Sequence, residues 1–375
     1  MAKKKSSSKK AKKKSPIFAV LLSILGVCAA GGAAAAVVIS TNKNNSQPSS
    51  SHSHEHIEST AMSINFLELG NKYTGDSTFI KAGDVDILID AGSRNNSAGT
   101  IAEFVDRYCE DGKLEYVIAT HAHQDHIAGF VGTQAMPGIF DRYEVETIID
   151  FNLTNATSAV YNNYVAKRDA EVAAGAKHYT ALDCYNQTNG GQKVYTLAEG
   201  ITMEILYQKF YEEKSSDENN YSVCVLFTQG DNHYLFTGDL EKEGEASLVE
   251  SNALPEVELF KGGHHGSYTA NTDALLSVIK PKVVCICCCA GSTEYTSNPD
   301  NTFPAQAAIN RIGKYTDQVF VTTVDSDNEK GYQSMNGNIT FYSEKGSEYT
   351  VTGSNNSVIL KDTEWFKSNR TWPTT

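Results

Sequence analysis

The segment Thr120 to Gly129, THAHQDHIAG, packs three histidines and an aspartate into ten residues. Neutral imidazole and carboxylate together suit zinc, manganese or iron, and two such ions a few ångströms apart activate water and clamp a substrate oxygen. That chemistry is hydrolytic. A lone His-X-His would carry little weight, because isolated histidine pairs are common on protein surfaces. Here the groups that a two-ion site still needs follow in order. Tyr234 to Leu240, YLFTGDL, presents Asp239 after a Gly turn, and Lys261 to Ser267, KGGHHGS, presents His264 and His265 between glycines.

Elements must hold these residues. Leu114 to Ala119, LEYVIA, is short, apolar and β-branched at Val117 and Ile118, so it reads as a buried strand ending at Thr120. The motif then lies on the loop leaving that strand. His121 and His123 point to one side, as alternate residues of an extended chain do, and Asp125 and His126 follow where a helix begins. Ser97 is expected to cap a helix with Ile101, Phe104, Val105 and Tyr108 on one face, stopping near Gly112. Val160 to Ala174, Ala274 to Lys280 and Ala305 to Arg311 read as further helices, and Gln318 to Thr323 as a strand. NITFYS and EYTVTG alternate around Lys345-Gly346 as a closing hairpin. VVCICCC, holding Cys285, Cys287, Cys288 and Cys289, reads as a buried strand with cysteine as a small hydrophobe. Adjacent strand residues face opposite ways, which argues against four thiolates on one zinc. There is no internal repeat, P-loop or dinucleotide fingerprint, so no nucleotide cofactor is expected.

With INFLELG (Ile64 to Gly70), DILIDAGS (Asp86 to Ser93), NNYSVCVLF (Asn219 to Phe227) and LFTGDLEKEGE (Leu235 to Glu245) in order around these motifs, the chain resembles the metallo-β-lactamase superfamily. Within it, the likeness is to the branch containing the hydrolase domain of ComEC-type competence proteins. A more distant likeness is to the teichoic acid phosphorylcholine esterase of bacterial surfaces. The resemblance covers roughly residues 62 to 345 and implies an α/β fold, a four-layer αβ/βα sandwich with metals at one edge of two sheets. It implies a metal-dependent hydrolase using two divalent ions, zinc or manganese. His121 and His123 match ligands of one ion, Asp125 and His126 those of the other, and Asp239 the bridge. One of His264 and His265 completes the second site; the reading takes His265 as ligand and His264 as a substrate-touching group, with the reverse as alternative. Asp125, Asp239 and His264 form the expected catalytic set, and Asp90 matches an aspartate that holds the His loop from behind. Asn220 and Ser267 are candidates for the substrate region.

The departures from the family pattern also carry expectations. Many members supply another histidine to the first ion, between the His cluster and the bridging Asp. The histidines in that interval here, His178 and His233, lie outside matching motifs and are expected to face solvent. Asn219 and Asn220 occupy the matching stretch, and Phe303-Pro304 stands where the branch tends to have His-Pro.

The rest of the chain reads as an anchor for this domain. Residues 1–15 hold eight lysines and no acid, whereas residues 16–375 hold 24 basic groups against 45 acidic ones, a balance of −21 within an overall −13. Residues 16–40 carry no charge and are long enough to cross a bilayer as a helix. The lysines place the N-terminus in the cytoplasm and the hydrolase domain (62–345) outside the cell membrane, as a single-pass anchor. Secretion after signal cleavage is the alternative. Residues 41–61 form a Ser-rich flexible linker, and 346–375 a C-terminal hairpin strand and tail. Exported free thiols fit surroundings poor in oxygen. The expected substrate is a phosphodiester, single-stranded DNA or teichoic acid, since an acidic domain without a basic patch argues against tight duplex binding. Hydrolysis of amide, lactone or thioester bonds is the alternative, and a catalytically impaired binding module the second.

Overall fold

The computed structural model describes residues 60–374. The expected membrane helix at 16–40 lies outside the described residues, as do 1–15 and most of 41–61. Among the described residues no helix is long and apolar enough to cross a membrane.

The chain runs β1 (Met62–Phe66), β2 (Thr78–Ala82), β3 (Val85–Ile89), α1 (Ser97–Val105), β4 (Lys113–Ile118), α2 (Gln124–Val131), β5 (Glu144–Asp150), α3 (Ala159–Ala174), β6 (Lys177–Thr180) and α4 (Ala181–Asn186). It continues through β7 (Val194–Ala198), β8 (Ile201–Leu206), β9 (Cys224–Gln229), β10 (Asn232–Phe236), α5 (Lys242–Ser251), β11 (Leu259–Lys261), α6 (Asp273–Ile279) and β12 (Val283–Ala290). It closes with α7 (Gln306–Ile312), β13 (Val319–Asp325), β14 (Tyr332–Ser334), β15 (Ile339–Ser343), β16 (Tyr349–Gly353) and α8 (Glu364–Asn369).

The strands form two eight-stranded sheets, β16-β15-β1-β2-β3-β4-β5-β6 and β14-β13-β12-β11-β10-β9-β8-β7. Each has a parallel block, β3 to β6 at one edge of the first and β10 to β13 in the second, and the remaining strands pair antiparallel. The sheets face each other: Phe66 of β1 stacks on Phe236 of β10 at 6.1 Å, and Tyr234 meets Phe341 of β15 edge-on at 5.2 Å. Period-two alternation divides the second sheet's side chains. Val225, Phe227, Tyr234, Phe236, Cys285 and Cys287 enter the core shared with the first sheet. Leu226, Leu235, Val284, Ile286 and Cys288 enter a second core with α5 to α8. This is a two-sheet α/β sandwich with both faces of β12 buried, and its cysteines are free and buried small hydrophobes, as the sequence suggested.

Local expectations differ in detail. The cap of α1 is Asn96 rather than Ser97, whose hydroxyl instead accepts from the Ser93 and Arg94 amides at 3.1 and 3.3 Å. The helix ends at Val105, so Tyr108 lies beyond it, packed on Phe104 at 5.3 Å. Ser158 caps α3, whose single fully buried residue is Tyr164. β15 and β16 pair antiparallel at the edge of the first sheet.

Candidate metal centre

Residues that could do chemistry sit on loops leaving the C-terminal ends of the parallel strands, from both sheets. Open parallel sheets commonly place ligands there. Asp90 follows β3, and Thr120 to His126 lead from β4 into α2. Asp239 follows β10, His264 and His265 follow β11, and Tyr295 lies on the loop after β12. Asp125 stands in the first turn of α2, where the helix dipole favours negative charge. Gly238 makes the turn that presents Asp239: its φ is +54°, and a Cβ there would lie 2.8 Å from Ser222 Oγ. His264 and His265 have φ of 47° and 53°, a left-handed pair that turns both rings toward the site. Such backbone is uncommon outside glycine and collects at functional sites.

Two groups of donor atoms result. His121 Nε2 and His123 Nδ1 are 3.0 Å apart. Nitrogens sharing one tetrahedral zinc at about 2.0–2.1 Å would be about 3.3 Å apart, so this pair is spaced for a common ion. In the second group, Asp239 Oδ2 lies 3.1 Å from His126 Nε2 and 3.2 Å from His265 Nε2, and Asp125 Oδ2 lies 3.4 Å from His265 Nε2. Asp76, His126, Asp239 and His265 together offer four buried ligand atoms within 4.8 Å of one another.

The far side of each ring is already occupied. His126 Nδ1 bonds Asp90 Oδ2 at 2.7 Å, and His265 Nδ1 bonds the Cys287 carbonyl at 2.9 Å. The Nε2 lone pairs are thereby turned inward, as outer partners do for metal-binding histidines. His265 Nε2, buried, has no hydrogen bond of its own. An orphaned imidazole nitrogen facing carboxylate oxygens is what a cation site requires, and the donor set fits divalent ions.

Electrostatics agree with that fit. Burial disfavours charge on His126 and His265, yet Asp239 and Asp90 around the first, and Asp239 and Asp76 around the second, hold both rings well above the usual imidazole value. Burial would raise Asp239, but His126, His265, His264 and Lys261 outweigh it and keep its carboxyl well below the ordinary range. Burial, with His126 and His123 nearby, keeps His121 neutral well below its usual value.

All seven residues proposed from sequence as ligands or catalytic groups gather here, with Asp90 behind them. His264, 3.8 Å from Asp239 Oδ2 through Nε2, is anchored through Nδ1 to Glu241 Oε1 and Thr269 Oγ1, both at 3.2 Å. His265 makes the closer approach to the carboxylates. Asn220 stands further out, accepting from the Glu241 amide at 3.4 Å and lining a cleft of about 540 Å³ with Asp217 and Thr269. Ser267 bonds Thr269 Oγ1 at 2.8 Å. His178 is not free in solvent: it bonds buried Asp150 at 2.8 Å. His233 is half-buried on β10.

Sequence reasoning missed three residues. Asp76 is buried beside the ligands, with Oδ1 3.3 Å from His265 Nδ1 and Oδ2 against the Lys261 ammonium. Lys261 also donates to the Gly238 carbonyl at 3.1 Å and lies 3.5 Å from Asp239 Oδ1. Tyr295 donates its hydroxyl to Asp125 Oδ2 at 2.7 Å. Lys261 opens the KGGHHGS motif, and the apolar Leu259 and Phe260 before it are the signal of a buried charge.

Comparison with known proteins agrees with this geometry. The model of the metallo-beta-lactamase superfamily matches residues 70–132 and 217–290, the two stretches that carry every candidate metal ligand described above but not Tyr295. Recombination protein 2 of Haemophilus influenzae is 31% identical over 107 residues, covering 28% of this chain and 12% of its own length. ComE operon protein 3 of Bacillus subtilis is 22% identical over 240 residues, covering 61% of this chain and 26% of its own. Competence protein ComA of Neisseria gonorrhoeae is 30% identical over 117 residues, covering 30% of this chain and 15% of its own. The chain thus spans no more than about a quarter of the length of these relatives. From the matched stretches, the fold and the gathered donors together, the chain carries a metallo-beta-lactamase superfamily domain, the fold of metal-dependent hydrolases, with ComEC-type competence proteins among its relatives.

Proposed function

We propose that this chain is a two-metal phosphodiesterase, held at the outer face of the cell membrane by residues 16–40. The observation that carries the two-metal reading is the pair of donor groups, His121 Nε2 with His123 Nδ1 at 3.0 Å, and Asp239 Oδ2 within 3.2 Å of both His126 Nε2 and His265 Nε2. In this reading His121, His123 and Asp239 would hold one divalent ion, and Asp125, His126, Asp239 and His265 would hold the other. Zinc or manganese fits these nitrogen and oxygen donors. When bound, such a pair supplies Lewis acidity toward a phosphoryl oxygen and lowers the pKa of a water molecule.

The chain's own residues do the rest. Asp90 fixes the tautomer of His126, the Cys287 carbonyl fixes that of His265, and Ser222 Oγ accepts from the Asp239 amide at 3.0 Å to hold that residue in place. His264, anchored on Glu241, is placed to hold charge on the reacting group or return a proton to the leaving oxygen.

The names of two relatives refer to recombination and competence, which supports a phosphodiester as substrate. The acidic balance of residues 16–375 favours a single-stranded DNA end, or a teichoic acid, over a duplex gripped through many phosphates. The test is the full chain, loaded with zinc or manganese and offered single-stranded DNA, teichoic acid and a chromogenic phosphodiester in parallel. Turnover abolished by His123→Ala is expected. Hydrolysis of a lactone or β-lactam with no diester cleavage would overturn the substrate reading.

A further inference from the structure

The loop from Gly291 to Ala305, after β12, walls one side of the metal centre and is fastened at several points. The Gly291 amide donates to the Phe303 carbonyl at 2.8 Å. Glu294 accepts from the Thr74 amide at 3.0 Å and from Arg94 at 2.5 Å. From the other side Arg370, buried in the C-terminal segment, donates to the Thr302 and Pro304 carbonyls at 2.8 and 3.0 Å. Phe303 lays its ring against His264 and His265 at 5.7 and 5.6 Å, and Tyr295 packs on Phe303 at 5.7 Å.

This wall holds a donor in an unusual position. The Tyr295 side chain is 52% exposed, yet its hydroxyl reaches Asp125 Oδ2, one of the proposed ligand atoms. The phenol therefore stands where solvent meets the donor cluster. The neighbouring cations cannot serve a substrate so directly. Arg94 is bound to Glu294 and the Ser93 carbonyl, and Lys261 is 3% exposed and lies against Asp76. Among the described residues touching the ligand set, Tyr295 and His264 are the donors outside it that also reach the surface.

We propose that Tyr295 is a catalytic residue whose hydroxyl turns from Asp125 to a non-bridging phosphoryl oxygen and holds the charge that develops there. The inference rests on the phosphodiesterase reading. A hydroxyl held against a carboxylate exchanges one anionic acceptor for another, so the donor is in place before the reaction begins. The fastened loop keeps it there, and Phe303 excludes water behind it.

Tyr295→Phe in the full chain tests this, because it removes one oxygen and keeps the ring on Phe303. Metal content, orthophosphate affinity, kcat and KM on a chromogenic diester are compared with the unaltered chain. Expected are equal metal content, an unchanged KM and a fall in kcat of about a hundredfold, the cost of losing one donor to a developing oxyanion. Orthophosphate should bind about tenfold more weakly. Unchanged kcat, or a loss of activity matched by loss of metal, overturns the proposal; the latter would make Tyr295 a positioning residue for Asp125. If the unaltered chain cleaves no diester, the phosphodiesterase reading fails by itself. The orthophosphate comparison then decides: weaker binding in the variant upholds the donor, and equal binding overturns it.

Discussion

Asp90→Asn isolates what the carboxylate behind His126 contributes. Asp90 is 2% exposed and accepts three hydrogen bonds: from the Thr120 amide at 2.7 Å, from Thr120 Oγ1 at 2.8 Å, and from His126 Nδ1 at 2.7 Å. Asparagine keeps the volume and tolerates the left-handed backbone at this position, where φ is 58°. It cannot keep the bonding. An amide has one acceptor oxygen, so its NH2 must face either the Thr120 amide, donor against donor, or His126 Nδ1. In the second case Nδ1 becomes the acceptor and the proton moves to Nε2, the atom 3.1 Å from Asp239 Oδ2. That ring can no longer offer a lone pair to an ion. Loss of such an outer partner weakens metal binding by about 10–100-fold, or about 1.4–2.7 kcal/mol. The assay is competition for zinc or manganese against a chromogenic chelator, with a thermal midpoint to confirm folding. Metal affinity unchanged in a folded Asp90→Asn protein would refute the claim that Asp90 sets the tautomer.

Two further outcomes follow from the same charges. In the metal-free protein, His126 and His265 are held protonated above the ordinary value of about 6.5. Their contribution to stability is full below that pH and is lost as pH rises through the raised values, whereas metal must displace both protons. The gap in melting temperature between loaded and chelated protein should therefore widen from about pH 6 to pH 8, with protons released on loading, and a gap that narrows would show the sign to be wrong. Lys261→Met leaves Asp76 buried without its ammonium and should cost the chelated protein about 3–5 kcal/mol in urea unfolding, part of which Asp76→Asn restores in the double variant. An unchanged midpoint in Lys261→Met would mean that the pair does not stabilise the fold.

The parts of this molecule that follow a local rule were legible in its sequence. The strand before Thr120, the Gly turn at Asp239, the histidine pair after β11 and the cysteine strand each carry a pattern of period or turn chemistry. Asp76 and Tyr295 carry none. Asp76 lies in the polar run before β2 and Tyr295 in TEYTS. Nothing local distinguishes either from a solvated loop residue until the two sheets bring it beside His265 or Asp125. The shortfall at α1 has the same origin. Asn96 and Ser97 are both good caps by type, and the choice between them was made by the Ser93 and Arg94 amides that Ser97 accepts. His178 reads locally as an exposed residue and becomes bound because β6 pairs it with Ile148, two residues from Asp150, whose carboxylate its ring reaches.

The donors come from both sheets. Asp90, His121, His123, Asp125 and His126 ride on the first, and Asp239 and His265 on the second, with aromatic pairs such as Phe66 and Phe236 between. The centre is therefore a gauge of how the halves are aligned. A substitution at Phe66, itself no ligand, would slide one set of donors past the other, so catalysis should be spoiled by a small slip that leaves each half intact.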